Sequence, residues 1–126
     1  LIGSLHNIAY TQEQKMIIGI SEIEDHPAHL AAYKRILQSE AEASVKLERG
    51  VLAIFPMFQR ENPTQVRILE IYQDQEAYQA HLQTPHFLTY KNETRHMVKS
   101  LTLIDMDALD LDTARHMFRK MRASTK

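Results

Sequence analysis

The sequence predicts an α+β protein built on one antiparallel sheet, and two observations support this class. Four segments of strand-like composition alternate with helical patterns in the order strand, helix, strand, strand, helix, strand, and a helical tail follows. Only a short loop with an Asn-Pro turn signal separates the two middle strands, which predicts a hairpin. This is the split β-α-β-β-α-β order of ferredoxin-like folds, with the helices on one face of the sheet.

The chain of 126 residues has the length of one domain. We divide it into an N-terminal arm over 1–15, a ferredoxin-like domain over 16–106 and a C-terminal helical extension over 107–126. The arm lacks hydrophobic periodicity. We expect a cytoplasmic location; the alternative is a periplasmic one, in which the first residues are the remnant of a signal segment.

Composition excludes several functional classes. The chain has 15 basic and 16 acidic residues. Its basic residues form no sustained stripe, so nucleic acid is not an expected partner. No apolar run approaches the roughly 20 residues that cross a bilayer, so no membrane association is expected. The absence of cysteine excludes disulfides and thiolate nucleophiles. Three glycines are too few for a phosphate-binding loop.

A change in the spacing of apolar residues along the chain predicts the first strand and then the first helix. Met16–Ile23 is a β-branched run of strand length. Asp25 precedes a helical pattern in which Pro27 suits the first turn, and Arg49–Gly50 end it. Residues spaced three and four apart form the stripe of this helix: Leu30, Tyr33, Ile36, Leu37, Ala41, Ser44, Val45 and Glu48.

The predicted hairpin pairs a fully apolar segment with an alternating one. Val51–Phe58 is apolar at nearly every position, which predicts a strand buried on both faces. Pro56 inside it indicates an edge position or a bulge, because proline cannot donate a ladder hydrogen bond. The loop over 59–64 leads into the next strand, Val66–Tyr72.

Two shorter helices follow the hairpin. Asp74 suits the N-cap of a helix that runs through Gln83. Thr84 and Pro85 suit the cap and first position of another helix, which we extend to Val98. The sequence therefore predicts a tight corner between two helices at this point.

The last two elements are an apolar strand and an amphipathic helix. Ser100–Met106 is the fourth strand, and Asp112–Ala123 is the terminal helix. One stripe of this helix carries its apolar residues: Ala114, Met117, Phe118 and Met121. A helix this short is marginal alone. We therefore expect it to dock on a surface of its own subunit or of a partner.

The strand over 51–58 also predicts an assembly. Side chains alternate between the two faces of a strand, and here both sets are apolar. One set is Val51, Ala53, Phe55 and Met57, and the other is Leu52, Ile54, Pro56 and Phe58. Two helices cannot cover both faces, and each large apolar side chain left in water forfeits roughly 1.5–3 kcal/mol. We therefore expect a homodimer through sheet-to-sheet packing.

The candidate acid–base groups lie at the helical corner. His81 shares a helical face with Ala77 and Tyr78, so it is either an inward-facing general base or a hydrogen-bonded core histidine. His86 lies in the first turn of its helix, where the dipole favours a neutral ring. Tyr90 follows one turn later on the same face. The alternative for His86 is a cap of the turn.

Glu70 is a carboxylate among apolar strand residues. It shares a strand face with Ile68 and Tyr72, so it either forms a structural ion pair or hydrogen bond or orients a catalytic histidine. His26 and His29 are spaced three apart but lack further ligands. We therefore expect no metal site.

These motifs together resemble a known family. Four parts of the sequence resemble the antibiotic biosynthesis monooxygenase family, in particular its quinol monooxygenase branch. They are Leu69–Tyr72, the corner over 77–87 with its His-Leu-Gln-Thr-Pro-His core, Tyr90 and the Glu48–Leu52 turn. The resemblance covers roughly 16–106. Arg49 departs from it by standing where proline is common. The tail is longer than the minimal domain, and without tryptophan the residue set of haem-degrading relatives cannot be assembled.

The resemblance implies a dimeric α+β barrel with a mostly apolar cavity between sheet and helices in each subunit. It implies oxidation of a small aromatic or quinol-like substrate by dioxygen without flavin, haem or metal, so no cofactor is expected. The catalytic candidates are His81, His86, Tyr90 and Glu70. The candidates for contact with the apolar or aromatic substrate are Tyr33, Phe55, Tyr72 and Phe87.

Two other functions stay open because reaction type does not follow from a fold. The same base in a more polar cavity would suit an isomerase of a small polar metabolite. A pocket filled by its own side chains would suit a non-catalytic dimeric protein that binds small molecules. Dioxygen consumption separates the oxygenase from both alternatives.

Overall fold

The computed structural model describes residues 15–124, so the predicted arm lies, apart from Lys15, outside the described residues. The strands are β1 (Ile17–Asp25), β2 (Val51–Phe58), β3 (Gln65–Tyr72) and β4 (Val98–Met106). The helices are α1 (Leu30–Leu47), α2 (Gln75–His81), α3 (Pro85–Thr94) and α4 (Leu111–Ser124). The strands form one antiparallel sheet in the order β2-β3-β1-β4, which confirms the ferredoxin-like prediction. Among the described helices, none combines the length and the apolar composition that a membrane span requires.

The ends of the helices and strands differ from the predicted ones where hydrogen bonds to distant parts of the chain replace those within an element. A short tight turn over Pro27–His29 precedes α1. The helix predicted to reach Val98 ends at Thr94, because the following residues turn back toward the end of β1. There the His26 amide donates to the Met97 carbonyl at 2.9 Å, and Val98 already belongs to β4.

The strand β2 lies at a sheet edge, as Pro56 predicted. The register against β3 shifts between Val51 and Ala53, so that Val51 and Ile54 both belong to the core. Burial on both faces, which we predicted, is not found within one subunit. Phe55 is 56% exposed on one face, and Phe58 is 52% exposed on the other.

The core lies between the helices and one face of the sheet. Tyr33, Leu37 and Ala41 of α1 supply its helical side, as their spacing predicted. Ile23 of β1 and Ile68 of β3 supply part of its sheet side. These side chains hold α1 across the sheet, and this position brings the polar residues of the α1 stripe close to α2 and α3.

The opposite face of the sheet is apolar, and none of the described helices packs on it. The strand register puts side chains of all four strands on this outer face: Ile18, Ile20, Ala53, Phe55, Met57, Leu69, Ile71, Ile104 and Met106. Arg67 lies on this face as well and pairs with Glu22 at 3.4 Å. The helix α4 buries none of its residues. Its docking therefore stays a prediction.

Gly50 allows the close approach of α2 to the turn after α1. A Cβ atom at this position would lie 2.4 Å from the Cβ of Ala77. We expect Gly50→Ala to lower the free energy of unfolding by about 1–3 kcal/mol, because the two elements must separate. The double variant with Ala77→Gly should recover part of this loss despite the cost of a helical glycine. Urea denaturation measures both, and equal stability of Gly50→Ala and the parent chain would contradict the steric argument.

Asp25 is a buried carboxylate whose two oxygens have no hydrogen-bond partner among the described residues. Burial raises the pKa of its carboxyl from 3.8 to about 6. Between pH 3.8 and about pH 6 the Asp25 carboxyl is largely protonated in the folded chain and largely ionised in the unfolded chain. The free energy of unfolding therefore falls as pH rises through this window and stays lower above it.

We expect Asp25→Asn to raise the free energy of unfolding by about 1–3 kcal/mol at pH 8, because the amide removes a buried charge. At pH 4, where the folded carboxyl is protonated, the difference should shrink to near zero. Denaturant titration at both pH values measures it. Asp105→Asn, at an exposed position of β4, is the control. A difference of the same size at both pH values would rule out the charge as its cause.

Candidate active site

A small cavity lies between the sheet and the helices α1, α2 and α3. Its volume is about 100 Å³, and its wall is largely apolar and aromatic. The polar side chains on this wall are Ser21, Glu40, Glu70, His81 and Lys91. Typical ligand pockets measure about 300–1,000 Å³. The cavity therefore suits a small ligand, with a few polar groups to orient it.

Glu70 is held on the cavity wall by two hydroxyl groups. Ser21 Oγ donates to one of its oxygens at 2.5 Å, and Tyr72 OH donates to the other at 2.6 Å. Burial, followed by the charge of Glu70, raises the pKa of Tyr72. Tyr72 therefore keeps its proton and holds the carboxylate. The predicted histidine partner for Glu70 is not found among its hydrogen bonds.

Tyr90 lines the cavity, and Tyr33 lies behind it. Their hydroxyl oxygens are 2.6 Å apart. Burial raises the pKa of Tyr90 to about 12, against the lowering effect of the hydrogen bond with Tyr33. Burial also raises the pKa of Tyr33. Both phenols are therefore protonated near neutral pH, and each can act as a hydrogen-bond donor.

Glu48 links the two histidines of the corner. His81 Nδ1 lies 2.9 Å from Glu48 Oε2, and His86 Nε2 lies 2.6 Å from the same oxygen. Because a carboxylate only accepts, each ring donates an N–H to it. The corner itself is held by Thr84, whose hydroxyl donates to the His81 carbonyl and accepts from the Phe87 amide. Thr84 thus acts as the N-cap that the sequence predicted.

Glu40 lies on the cavity side of His81. Its Oε1 is 3.5 Å from His81 Nε2, and Ser44 Oγ donates to it at 2.7 Å. Burial raises the pKa of Glu40, against the lowering effects of Ser44 and His81. A carboxyl group with a raised pKa binds a proton more readily than an ordinary carboxylate does, so it can take one from a ligand. This property makes Glu40 the strongest general-base candidate on the wall.

Glu40 and Glu48 were not among the predicted site residues. Glu48 belongs to the predicted α1 stripe, and Arg49–Gly50 are predicted to end the helix directly after it. Glu40 lies three residues after Leu37 and four before Ser44, so it continues the same stripe. A carboxylate at a position that periodicity assigns to the buried face was the signal that could have found it.

The predicted site residues are distributed over four places. His81, Glu70, Tyr72, Phe87 and Tyr90 line the cavity together. His86 does not line it and contacts Glu48, which also binds His81. Two predicted substrate contacts lie elsewhere: Tyr33 is behind Tyr90, and Phe55 is on the outer face, because its side chain points away from the helices.

Comparison with known proteins identifies a matching family and similar solved structures. The model of the family described as antibiotic biosynthesis monooxygenase matches residues 16–93. A solved structure from Bacteroides thetaiotaomicron VPI-5482, of a candidate antibiotic biosynthesis monooxygenase, is 41% identical with a TM-score of 0.76. The match covers 78% of this chain and 93% of that chain. The residues that the family model matches include β1, β2, β3 and the helical corner described above.

More distant structures share the fold. A candidate monooxygenase from Lactobacillus acidophilus NCFM is 26% identical with a TM-score of 0.73, over 75% of this chain and 45% of that chain. PA3566 from Pseudomonas aeruginosa is 21% identical with a TM-score of 0.69, over 77% of this chain and 98% of that chain. A search of curated proteins finds no match.

Proposed function

The chain belongs to the antibiotic biosynthesis monooxygenase family, and on this premise we propose that it is a cofactor-independent monooxygenase of small, quinol-like aromatic substrates. The observation that carries the proposal is the buried Glu40 with a raised pKa, next to His81 on an aromatic cavity wall. A hydroxylated ring bound there meets a base and hydrogen-bond donors in a site largely screened from water.

The proposed chemistry begins with removal of a proton from a substrate hydroxyl by Glu40. Tyr90 is the donor that would stabilise the resulting oxyanion. The electron-rich ring then reduces dioxygen. One oxygen atom enters the ring at a C–H position and the other leaves as water, so that the substrate supplies all four electrons and a quinol becomes a hydroxyquinone. No flavin, haem or metal takes part in these steps.

An oxygen electrode tests this function. A panel of quinols and polyphenols is offered to the purified chain without added cofactor. We expect consumption of one dioxygen per substrate oxidised, above the rate of autoxidation in buffer. Product mass spectrometry with ¹⁸O₂ should find one labelled oxygen. Turnover of a substrate without incorporation of oxygen would contradict a monooxygenase.

One observation favours a second candidate function. The cavity wall carries two carboxylates, Glu40 and Glu70, which suit a proton-shuttling isomerase of a small polar metabolite. An isomerase consumes no dioxygen, and it exchanges a substrate proton with solvent deuterium. The same electrode and a deuterium-exchange measurement therefore separate the two candidates. Binding without either reaction would indicate a non-catalytic binding protein.

We also propose that the chain acts as a homodimer through its outer face. This face carries nine apolar side chains from four strands, and no helix within residues 15–124 covers it. A second sheet packed against it removes this apolar surface from water. The dimer would also cover residues such as Phe55 that a single subunit leaves exposed.

A further inference from the structure

The link between Glu48 and the two histidines has the composition of a metal-binding site. Glu48 Oε2, His81 Nδ1 and His86 Nε2 all lie within 4.8 Å of one another. Ligand atoms around a tetrahedral ion, each about 2.0–2.2 Å from it, are roughly 3.3 Å apart. The two separations from Glu48, 2.9 and 2.6 Å, would widen by about 0.4 and 0.7 Å to admit an ion.

Three separate elements hold these ligands in place. Glu48 follows the last turn of α1, His81 ends α2, and His86 lies in the first turn of α3. The Thr84 cap fixes the corner between the histidines. The His81 side chain is 2% exposed, whereas those of Glu48 and His86 are 14% and 18% exposed. The ligand set is therefore preorganised and can be reached from the surface on the His86 side.

The surroundings of His81 also match those of a metal ligand. A histidine that binds a metal through one ring nitrogen commonly directs the other N–H at a carboxylate, which fixes its tautomer. When His81 binds through Nδ1, its proton is on Nε2, which lies 3.5 Å from Glu40 Oε1. Glu40 would then be the carboxylate that orients the ring.

We propose that Glu48, His81 and His86 bind one divalent first-row transition-metal ion, with a fourth position for water. Zinc and ferrous iron both use sets of two histidines and one carboxylate. The ion lies on the side of His81 remote from Glu40. It is therefore not a reactant in the proposed oxidation, and the two proposals stand or fail independently. Its expected effect is to hold the corner between α2 and α3 against α1.

Cobalt(II) is the direct probe, because a four-coordinate cobalt site absorbs strongly in the visible range. The full chain is treated with a chelator, dialysed and titrated with Co²⁺, and Zn²⁺ is then added to displace it. An anaerobic titration with Fe²⁺ forms the second arm. We expect one ion per chain, and a rise in the thermal midpoint that grows with the logarithm of Zn²⁺ concentration.

Three variants locate the ion. Glu48→Gln and His86→Ala should each weaken Zn²⁺ binding by about 100-fold or more, since each removes a ligand. The control is His29→Ala combined with His96→Ala, which removes another neighbouring pair of imidazoles, 4.9 Å between ring centres, and should change nothing.

Two results would overturn the proposal. The first is a parent chain that shows neither the cobalt bands nor a zinc-dependent thermal midpoint, because Glu48 would then serve only as a shared hydrogen-bond acceptor. The second is binding that survives in both ligand variants. The result on the parent chain decides the question even where a variant fails to fold. Oxygen consumption by the chelator-treated chain is measured separately and tests only the proposed function.

Discussion

Glu40→Gln is expected to lower kcat for quinol oxidation by about 10²–10⁴-fold, the usual contribution of a general base. The amide keeps the size of the side chain and its hydrogen bond with Ser44, but it cannot accept the substrate proton. KM should change little, because the cavity wall keeps its shape. Steady-state oxygen-electrode kinetics of the parent chain and the variant measure the effect.

The pH dependence of quinol oxidation distinguishes a general base at Glu40 from a residue with a purely structural role. The base must be ionised to accept a proton, so the rate should rise with pH through the raised pKa of Glu40. Glu40→Gln should lose this limb of the profile, and Glu40→Asp should keep it at reduced kcat. Glu42→Gln, on an exposed turn of the same helix, is the matched control and should retain full activity. A Glu40→Gln enzyme that turns over at the rate of the parent chain would exclude Glu40 as the base.

Phe55→Glu is expected to dissociate the proposed dimer. In a single subunit Phe55 is 56% exposed, so the substitution should cost the folded subunit little. In the dimer the new carboxylate would be buried without a partner. Removing one partner of a buried ion pair also leaves a buried charge unpaired, and it costs about 3–5 kcal/mol. The twofold axis would place two such carboxylates in the interface. A penalty of this size raises the dissociation constant by at least about a hundredfold.

The same strand offers a matched control on its other face. Phe58 is 52% exposed and packs against Lys34, whose Nζ lies 3.7 Å from the ring centre. Phe58→Glu places a carboxylate on the helix side of the sheet and should leave the dimer intact. Sedimentation equilibrium over a range of concentrations compares the three chains. A monomeric parent chain, or equal association of all three, would show that the outer face is not the interface.

Local patterns were sufficient to predict most of the fold. The alternation in β3 assigned Glu70 to the same face as Tyr72, and the structure joins the two by a hydrogen bond. The Thr84 cap and Pro56 at an edge were also predicted, because each depends on the backbone of its own segment. Predictions of the ends of elements were less accurate. The end of α3 depends on the bond between His26 and Met97, which are 71 positions apart.

The site was predicted only in part, for a related reason. His81, Tyr90 and Glu70 were chosen for their chemistry and position on an inward face, and they do share a cavity. Phe55 is a predicted substrate contact, but its strand parity places it on the outer face. His86 faces Glu48 and not the cavity wall, since the rotation of α3 about its axis depends on how it packs against α1.

The sequence by itself determined the order of the elements, the ferredoxin-like class and the helical corner with its two histidines. These features follow from side-chain periods of two and 3.6 residues and from turn chemistry, which act within a few residues of one another. Only the tertiary structure decided that Glu40 and Glu48 meet these histidines. They are 33 to 46 positions from them, and their approach depends on how α1 lies across the sheet. That placement results from close packing of the whole core, because no local period encodes it.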